Sequence, residues 1–148
     1  MLFRSTTDST NLRLLERAGN EDIDGCALAA EHQSAGRGRR GRQWLSPVAC
    51  NLYLSVGVRL THTAQMQALS LIVGVAIAAA LTELGYAGIG IKWPNDLQSA
   101  GRKLAGILIE STGATPQGIS LVIGIGITLF STNRSVLKYL KMKLDDLY

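Results

Sequence analysis

Four arginines and three glycines fill seven consecutive positions, Gly36-Arg37-Gly38-Arg39-Arg40-Gly41-Arg42. Guanidinium groups stay protonated and present planar forks of donors that suit carboxylate and phosphate oxygens, while glycine lets the backbone approach a ligand or take a positive φ. The segment is too charged for a buried strand or a packed helix, so it is expected to be a loop that meets an anion. Three further clusters carry polar chemistry. Asp8-Ser9-Thr10-Asn11 places four cap-type side chains before a helical pattern. One cap needs one side chain, so the surplus either faces solvent or addresses a polar ligand. Gln33, with both a donor and an acceptor, either caps a sheet edge or binds an amide or ureido group. Lys92-Trp93-Pro94-Asn95-Asp96 and Arg102-Lys103 bring cations and a carboxylate to strand ends, where the plain alternative is a set of solvated charges.

The elements that must hold these groups follow from periodicity. Leu2 to Thr6 reads as a short strand, and Leu12, Leu15 and Ala18 mark a helix ending at Gly19. After a turn over Asn20 to Gly25, Cys26 to Ala30 reads as a buried strand that delivers Gln33 to the loop. Asn51 to Val58 alternates with period two, and its Leu52, Leu54, Val56 and Val58 face is expected to enter the core. Thr61 to Gln67 is a polar connector, and Ala68 to Leu84 a nearly uncharged helix expected to be largely buried. Pro94 breaks the strand that presents Lys92, because proline removes a donor and turns the residue before it away from helix. A hairpin-like loop over Gln98 to Gly101 then leads into the strand Arg102 to Glu110, which places Lys92 and Lys103 near one end of the sheet. A turn over Thr112 to Gly118 precedes Ile119 to Ile127, an unbroken apolar run that fits a central strand covered on both faces.

Composition narrows the functional classes. The 148 residues suit one domain, and a 47% hydrophobic content supplies a core without staples. The formal net charge of +4 equals the contribution of the four loop arginines, so the basicity belongs to a site. A nucleic-acid binder would usually spread its cations over a face or stripe. Cys26 and Cys50 lie in no CxxC pair, and His32 has no partner at ligand spacing, so neither a disulfide nor a metal site is expected. The N-terminus has no apolar signal region. The longest apolar run, Leu71 to Leu81, falls short of the roughly 20 residues a membrane helix needs, so a cytoplasmic protein without membrane contact is expected. Gly36-x-Gly38-x-x-Gly41 formally satisfies a dinucleotide fingerprint, but polar residues precede and follow it where a strand and a helix are required.

Taken together and in order, Asp8-Ser9-Thr10-Asn11, the Gln33 to Trp44 segment, Lys92-Trp93-Pro94-Asn95-Asp96-Leu97 and Gly101-Arg102-Lys103-Leu104-Ala105-Gly106-Ile107 resemble the catalytic domain of biotin protein ligases. The resemblance covers residues 8 to about 127. It implies an α+β fold, a mixed sheet with helices packed mainly on one side, related to class II aminoacyl-tRNA synthetases. It also implies a two-step reaction. Biotin and ATP, with substrate-bound magnesium, form biotinoyl-adenylate and pyrophosphate, and a lysine of a biotin carboxyl carrier domain then takes the acyl group. By motif position, Ser9, Thr10, Asn11, Gln33, Arg37, Gly38, Arg39 and Lys103 resemble the biotin-binding set, with Lys103 and Arg39 in catalytic positions. Gly36, Arg40, Gly41, Arg42, Trp44, Lys92 and Asp96 resemble the ATP and adenylate set, and no metal is held by protein ligands.

Two departures qualify what the resemblance implies. The family's apolar strand continues Gly-x-Gly-x-Asn, whereas Gly124-Ile125-Gly126-Ile127 is followed by Thr128. From 128 to 148 the family pattern is replaced by Val136, Leu137, Leu140, Leu144 and Leu147 at helical spacing, a divergent tail suited to self-association as a homodimer. Neither an N-terminal helix-turn-helix for DNA nor a C-terminal barrel is expected in these residues. The domain reading is therefore a shortened catalytic unit over 1–127 and a tail over 128–148. Two alternatives stay open: a truncated domain that binds biotin or its adenylate with little or no transfer, and nucleic-acid binding through the arginine loop.

Overall fold

The computed structural model describes residues 1–48, 50–61, 66–115 and 118–128, with 66, 67, 114 and 115 described by backbone alone. The helical tail expected after Thr128 and the middle of the 61–67 connector lie outside the described residues. Seven strands form one sheet: β1 (Leu2–Thr7), β2 (Ala27–Gln33), β3 (Asn51–Leu60), β4 (Ile89–Lys92), β5 (Asp96–Ser99), β6 (Arg102–Thr115) and β7 (Gly118–Thr128). Their order across the sheet is β1-β2-β3-β7-β6-β5-β4. β1 and β2 run parallel, as a strand-helix-strand connection through α1 (Thr10–Ala18) requires, and every other pairing is antiparallel. This is the mixed sheet expected from the sequence.

Strand parity assigns the helices to faces. Ideal side chains built at Gly124 and Gly126 would meet Asn11 and Trp44, so even-numbered β7 positions face α1 and the arginine loop. Ile123, Ile125 and Ile127 point the other way and pack with Leu69, Val73 and Ile77 of α2 (Met66–Glu83). The expectation of helices mainly on one side is thereby refined: among the described residues, one helix covers part of each face.

Four local expectations are corrected. In α1 the fully buried residue is Leu14, and Asn11, Leu14, Leu15 and Ala18 form the stripe on the sheet, in place of Leu12, Leu15 and Ala18. That i, i+3, i+4, i+7 register carries Asn11 down with the leucines. On β3 the aliphatic face is only half buried, while Asn51, Tyr53, Ser55 and Gly57, on the face that carries α1, are buried. α2 is apolar around its whole circumference but packs along one stripe, leaving Ile72 and Val75 58% and 57% exposed. The Thr112-Gly113 pair marks a bulge within β6, where the register against β7 shifts between Ser111 and Ala114 and Gly113 takes φ 100°. Local irregularity in a long strand and a chain-reversing turn recruit the same residue types.

Candidate active site

The polar end of the site is built where α1 begins. Ser9, 1% exposed, caps the helix by accepting from the Leu12 N–H, which leaves Thr10 and Asn11 for other partners. The Thr10 N–H and hydroxyl both donate to Gln33 Oε1, at 2.8 and 3.0 Å, across from the end of β2. Both bonds use the carbonyl edge of Gln33, and its Nε2 donors remain for a ligand. Ser55 Oγ lies 2.8 Å from Thr10 Oγ1 and 2.5 Å from Asn11 Oδ1. Two hydroxyl protons therefore serve three oxygen–oxygen contacts, because Gln33 Oε1 and Asn11 Oδ1 can only accept. A ligand N–H bonded to Gln33 Oε1 would release the Thr10 hydroxyl to Ser55 and complete the chain.

The arginine segment folds into a small hairpin. Trp44 N–H donates to the Gly36 carbonyl, Arg37 pairs with Gln43, and Gly38 N–H donates to the Arg42 carbonyl at 2.7 Å. A single turn of 3-10 helix at Arg39–Gly41 forms the tip, with Arg40 at φ 56° and Gly41 at φ 71°. Gly36 is required by packing, because a β-carbon there would sit 2.6 Å from the Trp44 carbonyl oxygen. The hairpin lies back over the sheet. Arg37 donates to Glu110 at 2.6 Å, and Arg39 donates to Asn95 Oδ1 at 3.0 Å. Asn95 is itself pinned to β6, accepting from the Ile107 N–H through its carbonyl and donating from Nδ2 to the Ile107 carbonyl.

Between hairpin and sheet lies a cleft of about 790 Å³ whose lining runs from Ser9, Thr10, Asn11 and Gln33 past Arg37 and Arg39 to Trp44, Asp96 and Lys103. Its floor is the glycine set Gly106, Gly124 and Gly126. The Trp44 ring rests on two of them, within 3 Å of where β-carbons of Gly106 and Gly126 would be. Lys103 Nζ stands 5.0 Å from the centre of that ring and 2.8 Å from Asp96 Oδ1, held by a carboxylate and an aromatic face together. Trp44 Nε1 is buried against the floor without a hydrogen-bond partner. One end of the cleft thus offers a short polar chain for a neutral amide-like group. The other gathers cations for an anion.

Residues 2–127 match the Biotin/lipoate A/B protein ligase family. The chain belongs to that family. It is 51% identical over 123 residues to the bifunctional ligase/repressor BirA of Salmonella typhimurium, covering 82% of this chain and 38% of that protein. It is 46% identical over 130 residues to the biotin–[acetyl-CoA-carboxylase] ligase of Mycobacterium tuberculosis, covering 83% and 47%. The biotin acetyl coenzyme A carboxylase synthetase of Helicobacter pylori with bound biotinylated ATP superposes with a TM-score of 0.72 at 30% identity, over 89% of this chain and 63% of that one. The biotin protein ligase of Aquifex aeolicus in complex with biotin and ATP gives 0.70 at 30%, over 93% and 56%. The fold is the class II synthetase-like sheet of biotin protein ligases, and the chain spans about 40 to 50% of the length of these curated relatives.

The structure gathers Ser9, Thr10, Asn11, Gln33, Arg37, Gly38, Arg39, Arg40, Arg42, Trp44, Asp96 and Lys103 around one cleft. Gly36 and Gly41 line a separate groove behind the hairpin. Lys92 stands opposite Asp96 in the β4–β5 register but is exposed and outside the cleft lining. Thr128 ends β7 beside Asn51, also outside the lining. Sequence reasoning gave no role to Ser55, Asn95, Glu110 or the floor glycines. Glycines interrupting apolar strands were the available signal for Gly106, Gly124 and Gly126, since such positions mark close approach by another group. Ser55 and Glu110 left no comparable trace.

Proposed function

We propose that this chain performs the chemistry of a biotin–[acetyl-CoA-carboxylase] ligase. The observation that carries the reading is the cleft itself, in which Gln33 and the Thr10–Ser55–Asn11 chain lie at one end and Lys103 and Arg39 at the other. A ureido ring has the carbonyl and N–H groups that suit the first end, and a valerate carboxylate extends toward the second. An oxygen of that carboxylate attacks the α-phosphorus of ATP, the bond to the bridging oxygen breaks, and pyrophosphate leaves with its electron pair. Two anions meet in this step, so Lys103 and Arg39 lower the barrier by holding positive charge where negative charge accumulates. Arg40, Arg42 and Trp44 address the nucleotide. Asp96 orients Lys103 through their ion pair. Magnesium enters with ATP as part of the substrate; Asp96 is the one carboxylate lining the cleft among the described residues, which suits an ion held mainly by phosphate oxygens.

In the second step a lysine amine of a biotin carboxyl carrier domain attacks the acyl carbon, the acyl–phosphate bond breaks and AMP departs. The hairpin, closed by Arg37 and Arg39, keeps water from the mixed anhydride until the amine arrives. Residues 1–127 form the catalytic unit and 128–148 a divergent tail. The setting is cytoplasmic, and a homodimer through the tail is testable by light scattering. Among the described residues, no helix is long and apolar enough to cross a membrane. Nucleic-acid binding is the weaker reading, because Arg37 and Arg39 turn inward to Glu110 and Asn95.

Biotin-dependent exchange of labelled pyrophosphate into ATP tests the first step, and labelling of a carrier domain tests the second. Exchange with transfer is expected. Exchange without transfer would reduce the chain to an adenylate-forming domain, and neither activity would leave a biotin-binding domain at most.

A further inference from the structure

We propose that Glu110 is a positioning residue that sets the donor and acceptor pattern at the polar end of the cleft and ties it to the arginine hairpin. For the identity of the ligand, the inference rests on the ligase reading above. Asn11 Nδ2 faces Glu110 Oε2 at 3.0 Å and the Leu108 carbonyl at 3.3 Å, and an ionised carboxylate and a carbonyl can only accept. Glu110 therefore fixes which way round the Asn11 amide sits, and Oδ1 must point to Ser55. Ser55 must then donate to Asn11, which leaves the chain from Ser55 through Thr10 to Gln33 one proton short and ready for a ligand N–H. A reversed Asn11 would donate to Ser55 and satisfy the chain without any ligand. The carboxylate thus keeps the pocket selective for a donor.

The other oxygen of Glu110 accepts from Arg37, on the stem of the hairpin, at 2.6 Å. The Glu110 side chain is only 20% exposed, so this charge-assisted contact is shielded from much of the solvent. One carboxylate accordingly joins the stem of the lid to the amide that organises the pocket. Two accepting edges are needed for that, and a neutral glutamine has one.

The test compares wild type with Glu110→Gln by calorimetric biotin binding and by the rate of tryptic cleavage at the loop arginines in the ligand-free protein. Glu110→Gln is expected to weaken biotin binding about tenfold, the loss of roughly one charged hydrogen bond, and to speed loop cleavage several-fold at an unchanged unfolding temperature. The exchange Asn11→Asp with Glu110→Gln restores the contacts to Ser55 and Arg37, because the carboxylate introduced on α1 would accept from both Ser55 and the new amide while that amide still accepts from Arg37; the Leu108 carbonyl alone loses its donor. The pair should recover much of the affinity and cleavage resistance lost in either single variant. Additive losses in the double variant, or cleavage unchanged in Glu110→Gln, would overturn the proposal. If the wild type binds no biotin, the ligase reading fails, and the ligand-free cleavage rates still decide the role of Glu110.

Discussion

On the face of the sheet that carries α1, many of the most deeply buried side chains are polar: Ser9, Thr10, Asn11, Asn51 and Ser55 are all under 5% exposed. On the face that carries α2 the buried residues are aliphatic, Leu97, Ala105, Ile107 and Ile123, and the helix above them leaves apolar surface in the open. Burying polar groups is tolerable only when most are bonded, and on the α1 face side chains drawn from α1, β2, β3 and β6 bond one another, with Asn51 Oδ1 and Trp44 Nε1 left unpartnered. Packing on the α2 face is non-directional and needs only volume. Small changes on the first face should therefore be costly and specific, and changes on the second cheap or even favourable.

The largest effect belongs to the cleft's cationic end. Lys103→Ala should reduce biotin-dependent pyrophosphate exchange about 10²–10³-fold, as removal of one group that stabilises developing charge does, while the unfolding temperature stays near wild type. Lys103 is 48% exposed, so its loss leaves little cavity. Exchange within a few fold of wild type would remove it from the catalytic role. Next comes Gly124→Ala. A β-carbon at this position overlaps the Asn11 amide, and either β7 or α1 must move. Overpacking of this kind costs about 1–3 kcal/mol and here also displaces the ligand-facing chain. Calorimetry should find biotin affinity lost together with a lower unfolding temperature; unaltered affinity would mean that Asn11 is not part of the recognition surface.

The contrast between faces also explains what the sequence reveals. Alternation in β3 is plain, yet it identifies the aliphatic side as the core when the opposite side, Asn51, Tyr53 and Ser55, is buried more deeply. Hydropathy reports the preference of each residue alone, whereas the burial of Ser55 depends on partners 44 and 45 residues away. The arginine hairpin, Gln33 and Lys103 are legible because their composition is improbable anywhere except at a site. Glu110 is not, since an acid at the end of an apolar strand has the same appearance whether it is solvated or, as here, joins Arg37 to Asn11. The outer face of α2 misleads for a related reason: its apolar run predicts full burial, but one helix can bury only one stripe on one sheet.

On the α2 face the sign of a glycine substitution should reverse. Gly74 lies within α2, and an added β-carbon would find Ile107 and Ile91 at 3.7 and 3.8 Å, ordinary contact distances. Gly74→Ala should stabilise the fold by about 0.5–1 kcal/mol through helix propensity, with biotin affinity unchanged. Urea unfolding measures it. A loss of stability would show that α2 is packed as tightly as α1 and would erase the contrast.

The smallest effect concerns pH and separates the helices by charge. Burial alone would raise the Asp8 carboxyl, but the Ser9 N–H and Arg13, with a lesser contribution from Thr7, outweigh it and hold the group below its ordinary value of 3.8. A carboxyl depressed in the folded state contributes stability above its unfolded pKa, and that contribution disappears as pH falls through the folded value. Neither helix holds an acid in its first turn; α1 is secured instead by Asp8, one residue before its N-cap. Asp8→Asn should lower the unfolding temperature slightly at neutral pH and leave it unchanged at a pH below the folded value, where wild type has lost the same carboxylate. Equal destabilisation at both pH values would assign Asp8 a role in shape rather than charge, and the electrostatic difference between the helices would fall with it.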